Sequence, residues 1–159
     1  MVKINNFIFD DVTIELDYRK LLKDTFGSSE TYDAIGKEIN LVGMDFDLKK
    51  KVDMPAVTIS VYQDRAINQD DMELQAYVPF TVEVNVYTSG NNKVLKNKQL
   101  CNIIIKTLQT NNKMKNYYNR GLRLEENREV GSLLDSSYRR ILRMSGLCDN
   151  NLKLLLSRR

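Results

Sequence analysis

The chain has 159 residues, enough for one domain with a real core and too few for two independent ones. Hydrophobic residues make up 42% and charged residues 28%, ordinary for a soluble globular protein, and the net charge of +3 is too small to point to a nucleic-acid partner by itself. The sequence has no histidine, which removes the commonest general base, the usual partner of a serine or cysteine nucleophile and the commonest zinc ligand, so the expectation is a protein that is not an enzyme and needs no cofactor. Catalysis by carboxylates, lysine or tyrosine stays open.

There is no apolar run long enough to cross a membrane, and the first residues lack the apolar stretch of a signal peptide. The expected location is the cytoplasm, with no membrane contact. Cys101 and Cys148 do not make a disulfide framework; Cys101 reads as a small buried hydrophobe.

Along residues 4–16, Phe7, Ile8 and Phe9 form an apolar patch, and Val12, Ile14 and Leu16 then alternate with Thr13 and Glu15, which predicts a short strand. Tyr18, Leu21, Leu22 and Phe26 have helical spacing, and Gly27 stops the helix. Ser28 or Ser29 can cap a second helical turn carrying Tyr32, Ile35 and Ile39, with Gly36 counting against its length. Val42, Met44, Phe46 and Leu48 alternate as a strand, followed by Lys49-Lys50-Lys51, either a solvated strand end or a contact with a phosphate or an acidic surface.

Pro55 opens the next strand, where a missing N–H is tolerated; Val57, Ile59 and Val61 face one way and Thr58, Ser60 and Tyr62 the other. Its expected partner is 78–88, where Val78, Phe80, Val82, Val84 and Val86 share a face opposite Pro79, Thr81, Glu83, Asn85 and Tyr87. The polar link at 63–77 is long for a hairpin and holds Asp64, Arg65, Asp70, Asp71 and Glu73. It reads as a protruding arm that contacts a neighbouring subunit, or as a merely mobile loop. Asp70 and Asp71 could hold a divalent ion only if further ligands converge from elsewhere.

After the turn Thr88-Ser89-Gly90-Asn91-Asn92, the period becomes helical. Val94, Leu95, Cys101, Ile104, Ile105 and Leu108 form the expected buried stripe, and Lys93, Lys96, Asn97, Lys98 and Lys106 the exposed side. Tyr117-Tyr118 suits packing at the helix end better than base stacking. Leu122 and Leu124 suggest a strand, and Asn127–Asp135 a turn and loop around Gly131. Residues 137–146 fit a strand or a helix; their short length and Gly146 favour the strand, with Tyr138, Arg140, Leu142 and Met144 on one face and Arg139, Ile141, Arg143 and Ser145 on the other. Arg139, Arg140 and Arg143 suit either a phosphate backbone or the acidic loop of another subunit. Leu152–Leu156, with Ser157-Arg158-Arg159, forms a short apolar end with a basic tip.

The order of elements from about 55 to 156 resembles the tail terminator (tail completion) proteins of long-tailed bacteriophages. The resemblance rests on the Pro-initiated strand Pro55–Tyr62, the long polar loop, the strand ending Val84-Asn85-Val86-Tyr87-Thr88, the helix, the strand near Leu122–Glu125 and the stretch Tyr138-Arg139-Arg140-Ile141-Leu142-Arg143-Met144-Ser145-Gly146-Leu147-Cys148-Asp149. That stretch is similar to a "yR-x-x-x-R-x-sG-x-x-D" segment that closes the family's sheet. The family usually begins with a helix leading straight into the Pro-initiated strand, whereas strands are read here at 4–16 and 42–48. The resemblance implies an α+β fold, a mixed, mainly antiparallel sheet with helices packed on one face. It also implies a single domain (an N-terminal region 1–50 and a core 51–159 with its long loop at 63–77) that forms a hexameric ring.

Such a ring sits at the head–tail junction of the virion, assembled in the host cytoplasm, with the tail tube protein and head connector or adaptor proteins as partners. Genomic DNA passes through its lumen without specific binding. Asp64, Arg65, Asp70, Asp71 and Glu73 on one side, and Arg139, Arg140 and Arg143 on the other, are the candidate interface residues. Another neck, tail-tube or baseplate role in the same particle is the nearest alternative. A small RNA- or DNA-binding domain, with Tyr62 and Tyr87 on an open sheet face, and a carboxylate enzyme are the readings from other classes.

Overall fold

A computed structural model of the chain describes residues 11–43, 54–63, 77–110, 122–132 and 137–149. The order is α1 (Asp11–Phe26), α2 (Ser29–Ile35), β1 (Asn40–Val42), β2 (Ala56–Gln63), β3 (Tyr77–Thr88), α3 (Lys93–Thr110), β4 (Arg123–Ser132) and β5 (Tyr138–Asp149). The five strands form one mixed sheet in the order β1-β2-β3-β5-β4; β1 runs parallel to β2, and every other neighbouring pair is antiparallel. The fold is therefore α+β with a mainly antiparallel sheet.

Register explains which face is apolar. Val57, Ile59 and Val61 lie opposite Val86, Val84 and Val82, and Val82 and Val84 lie opposite Met144 and Leu142 on the other side. This three-strand apolar surface packs with Ile14, Tyr18, Leu22 and Phe26 of α1 and Leu100, Cys101, Ile104 and Leu108 of α3 in one core. Alternating strands thus give one apolar face that the helices cover and a second, more polar face on the other side.

The strand expected within 4–16 is corrected from residue 11 onward, where the chain is already helical. Val12 and Leu16 are 62% and 57% exposed, whereas Ile14, Tyr18, Leu22 and Phe26 are buried. Those four recur every fourth residue and form the true stripe, so the alternation of Val12, Ile14 and Leu16 was a coincidence of two helix faces. The helical setting also turns Glu15 inward, where its Oε1 accepts from Val61 N at 2.9 Å. β1 pairs only with residues 56–58 of β2, so this carboxylate satisfies an edge donor that β1 does not reach. Residues 4–10 lie outside the described residues.

Ser28 is the cap of α2, accepting from Thr31 N, and Gly36 closes the helix in the left-handed conformation at φ 80°. The glycine that shortened the predicted helix is the residue that ends it. Ile39 follows the helix; a strand is seen at Asn40–Val42, and of the strand expected at 42–48 only Val42 falls within it, while residues 44–53, with Lys49, Lys50 and Lys51, lie outside the described residues. Asn40 N donates to Pro55 O at 2.9 Å, directly after the cis Met54–Pro55 bond.

In α3 the expected stripe needs two corrections. Val94 and Leu95 are 41% and 58% exposed, and Asn97, assigned to the wet side, is 0% exposed. Its amide replaces an apolar side chain because it sits over the ends of two strands: Nδ2 lies 2.9 Å from Val86 O, 3.2 Å from Thr88 Oγ1 and 3.3 Å from Tyr138 O, while Cys101 Sγ donates to Oδ1. The turn before α3 uses Gly90 and Asn92 at positive φ. The loop expected from Asn127 is also corrected, since β4 runs to Ser132. Two register irregularities, between Leu124 and Glu126 and between Glu129 and Ser132, blur the alternation that would have marked a strand.

Gly146 faces Phe80 across the β3–β5 ladder, and a Cβ there would sit 2.6 Å from the Phe80 ring and 2.8 Å from Leu122 Cδ2. Gly146→Ala should lower unfolding stability by about 1–3 kcal/mol in denaturant titrations, because the ring must shift. Asn97→Ala should cost about 2–4 kcal/mol by the same measurement, since it leaves the carbonyls of Val86 and Tyr138 with one donor fewer.

Candidate functional site

The candidate arginines all lie on β5, and the antiparallel register divides them as strand alternation requires. Arg139 and Arg143 sit on the face away from the helices; Arg140 sits on the helix side, in register with Val86. They do not form one patch.

On the outward face, Ser60, Glu83, Arg143 and Glu126 occupy one row across β2, β3, β5 and β4. Arg143 Nε donates to Glu83 Oε1 at 2.8 Å and Nη1 to Glu126 Oε2 at 2.5 Å. Arg128 donates to the other oxygen of Glu126. The hydrogen bond from Arg128, with that from Arg143, holds the Glu126 carboxyl below the usual carboxylate range despite some desolvation. The bonds to Glu83 and then Glu126 raise the already high pKa of Arg143, so its charge is fixed throughout the working pH range. Beside this row, Ser145 Oγ donates to Glu125, which also lies 3.4 Å from Arg123.

The next rows are less accessible. Arg139 donates to Asn85 Oδ1 from Nε at 3.1 Å and from Nη2 at 2.6 Å, and its guanidinium stands 5.5 Å from the centre of the Tyr87 ring. Thr58, in register with Asn85, is buried, and its Oγ1 has no hydrogen-bond partner. Burial raises the Tyr87 pKa; Arg139 opposes the shift and Glu83 adds to it. Tyr62 and Tyr87 do share the outward face, as the base-stacking alternative requires, but Tyr87 is 6% exposed and lies beneath Arg139, so it offers no free ring face. Arg140 donates to Asn127 Oδ1 at 3.0 Å and to the Tyr138 hydroxyl at 3.0 Å. Each candidate arginine thus has hydrogen-bond partners within its own chain. Asp64, Arg65, Asp70, Asp71 and Glu73 lie outside the described residues.

Burial pushes the Cys101 thiol up to about 12, against an opposing effect of Arg140, so it is held neutral and inert. Among the described residues no three acidic or sulfur side chains converge as a metal site, and no helix is long and apolar enough to cross a membrane. An open cleft of about 380 Å³ lies between the end of α1 and β1. Its Arg19 is committed to the Leu41 and Val42 carbonyls at 3.1 and 3.3 Å.

The sequence signals missed were Glu83 and Glu126: both were visible as acids, but only the register of three strands reveals that they flank Arg143. No protein-family model matches the chain, and no curated protein matches it significantly.

Because the folded-state pKa of Glu126 is depressed, its contribution to stability is complete above the ordinary glutamate pKa near 4.3 and disappears as pH falls through the lower folded value. Glu126→Gln should therefore lower stability by a small, pH-independent amount near neutrality and flatten its loss below about pH 4, so that the two proteins converge in acid titrations followed by circular dichroism.

Proposed function

We propose that the chain is a structural virion protein of a tailed bacteriophage, a tail terminator whose hexameric ring caps the tail tube and joins the tail to the head connector. The observation that carries this reading is the position of β5. The stretch that bears the resemblance, Tyr138–Asp149, is a full-length strand set between β3 and β4, and it follows a Pro-preceded strand, a second strand and a helix in the order the resemblance implies. The helical assignment of residues 11–26 also brings the beginning of the fold nearer to the family's usual helical start.

Two physical features favour assembly over chemistry. On the outward sheet face Arg143 and Arg128 are paired with Glu83 and Glu126, and Arg139 spends its donors on the Asn85 amide, an arrangement of interleaved charges suited to a particle in which DNA must slide. The polar groups on that face are also tied to one another across strands, which keeps their geometry fixed for a partner surface without new ordering cost.

Native mass measured across a concentration series, with negative-stain images of the same samples, tests the proposal. Rings of hexamer mass, and their attachment to the ends of purified tail tubes, are the expected result. A chain that stays monomeric at every concentration and leaves tube ends bare would overturn it.

A further inference from the structure

We propose that Glu15 and Arg19, one turn apart on α1, act as a surrogate strand. They occupy the hydrogen-bonding positions that an added strand would take along the β1–β2 edge, and so close that side of the sheet to further copies of this chain.

The sheet ends at β1 on this side, and β1 has three residues against the eight of β2. Such a border presents main-chain groups of both strands to an incoming chain. The ladder shows which groups these are. Asn40 N donates to Pro55 O, and in a parallel pair this turns the main-chain groups of Asn40 and Val42 toward β2 and the N–H and C=O of Leu41 outward. By the same alternation Val57, Ile59 and Val61 aim their N–H groups toward the β1 side, where among the described residues no strand pairs with β2 beyond Thr58. Arg19 Nη2 donates to the outward Leu41 O at 3.1 Å, and Nη1 to Val42 O at 3.3 Å. Glu15 Oε1 accepts from Val61 N at 2.9 Å. The guanidinium thus stands where the N–H groups of an added strand would lie, and the carboxylate where its C=O would.

Both side chains are aimed by the core stripe of α1. Ile14 and Tyr18 are buried, and each is followed directly by one of the pair, so the packing that seats the helix also turns Glu15 and Arg19 toward the border of the sheet. The open cleft beside that border, lined by Arg19, Lys23, Glu38 and Leu41 among others, is the room an incoming strand would need. To enter it, a strand must strip a carboxylate and a guanidinium of their main-chain partners and bury them beside the new ladder, a cost that neutral side chains would not impose. A short border strand, a helix laid over it and charges along it each oppose edge-to-edge pairing, and this edge combines all three.

The test opens the edge and measures sedimentation velocity at several protein concentrations. Glu15→Ala with Arg19→Ala should tighten self-association about tenfold relative to the unchanged chain, because the vacated main-chain groups gain partners by pairing with a second copy. Adding Leu41→Pro, which removes an outward N–H and no bond to β2, should reverse that gain. Circular dichroism checks folding; if the double variant fails to fold, Arg19→Met, which keeps the apolar stem and loses the donors, should still tighten association about threefold. Folded variants that are less stable yet sediment like the unchanged chain would show a role in stability alone and overturn the proposal. New association that survives Leu41→Pro would run through another surface and overturn it too. Any oligomer of the unchanged chain forms with this edge closed, so Leu41→Pro alone should leave that assembly intact, and its loss in a folded variant would overturn the seal.

Discussion

One buried amide fixes how the helical layer sits on the sheet. Asn97 reaches the carbonyls of Val86 and Tyr138 and the hydroxyl of Thr88, so α3, the end of β3 and the beginning of β5 meet at one side chain. Around it the core, with Tyr18, Phe26, Phe80 and Met144 among its members, is mainly aliphatic, built mostly of valines, leucines and isoleucines that tolerate small shifts in register. An amide does not, because displacement by one turn would leave its donors and three acceptors unpaired in a dry interior. The apolar contacts hold the helix to the sheet; Asn97 determines where.

This dependence explains which features were legible beforehand. The period-two runs of β2, β3 and β5 and the pairing of β2 with β3 followed from alternation, because each strand has one helix-covered and one uncovered face; the pairing of β3 with β5 did not. The second half of α1 followed from Tyr18, Leu22 and Phe26. Its first half did not, since Val12 and Leu16 flank a buried Ile14 and imitate a strand until the fold shows where the core lies. Asn97 was placed on the wrong side because a polar residue in a helix reads as solvated unless strand ends above it are known. β4 was cut short because two register irregularities and a run of charges hide its alternation.

The arginines were picked out by residue type alone; they lie on one strand, and two of them share a face. Their partners were not legible. Glu83 and Glu126 are 60 and 17 positions away from Arg143 in sequence and come beside it only through the β3–β5–β4 register. What the fold changes is their role. Arg143, bonded to Glu83 and Glu126, acts as a strut that ties three strands together on the outward face.

The irregular edge at β4 bears on how copies of such a protein can meet at all. A regular, uncharged border strand offers its row of backbone amides as a template, on which further chains can add without limit, as they do in amyloid. Here the strand is bent at two points and carries Arg123, Glu125, Glu126, Arg128 and Glu129 in close succession. Laying another backbone along it would bury charges and misalign the ladder. Growth by backbone templating is therefore discouraged, and association is left to side-chain surfaces, whose geometry can specify a closed object of finite size.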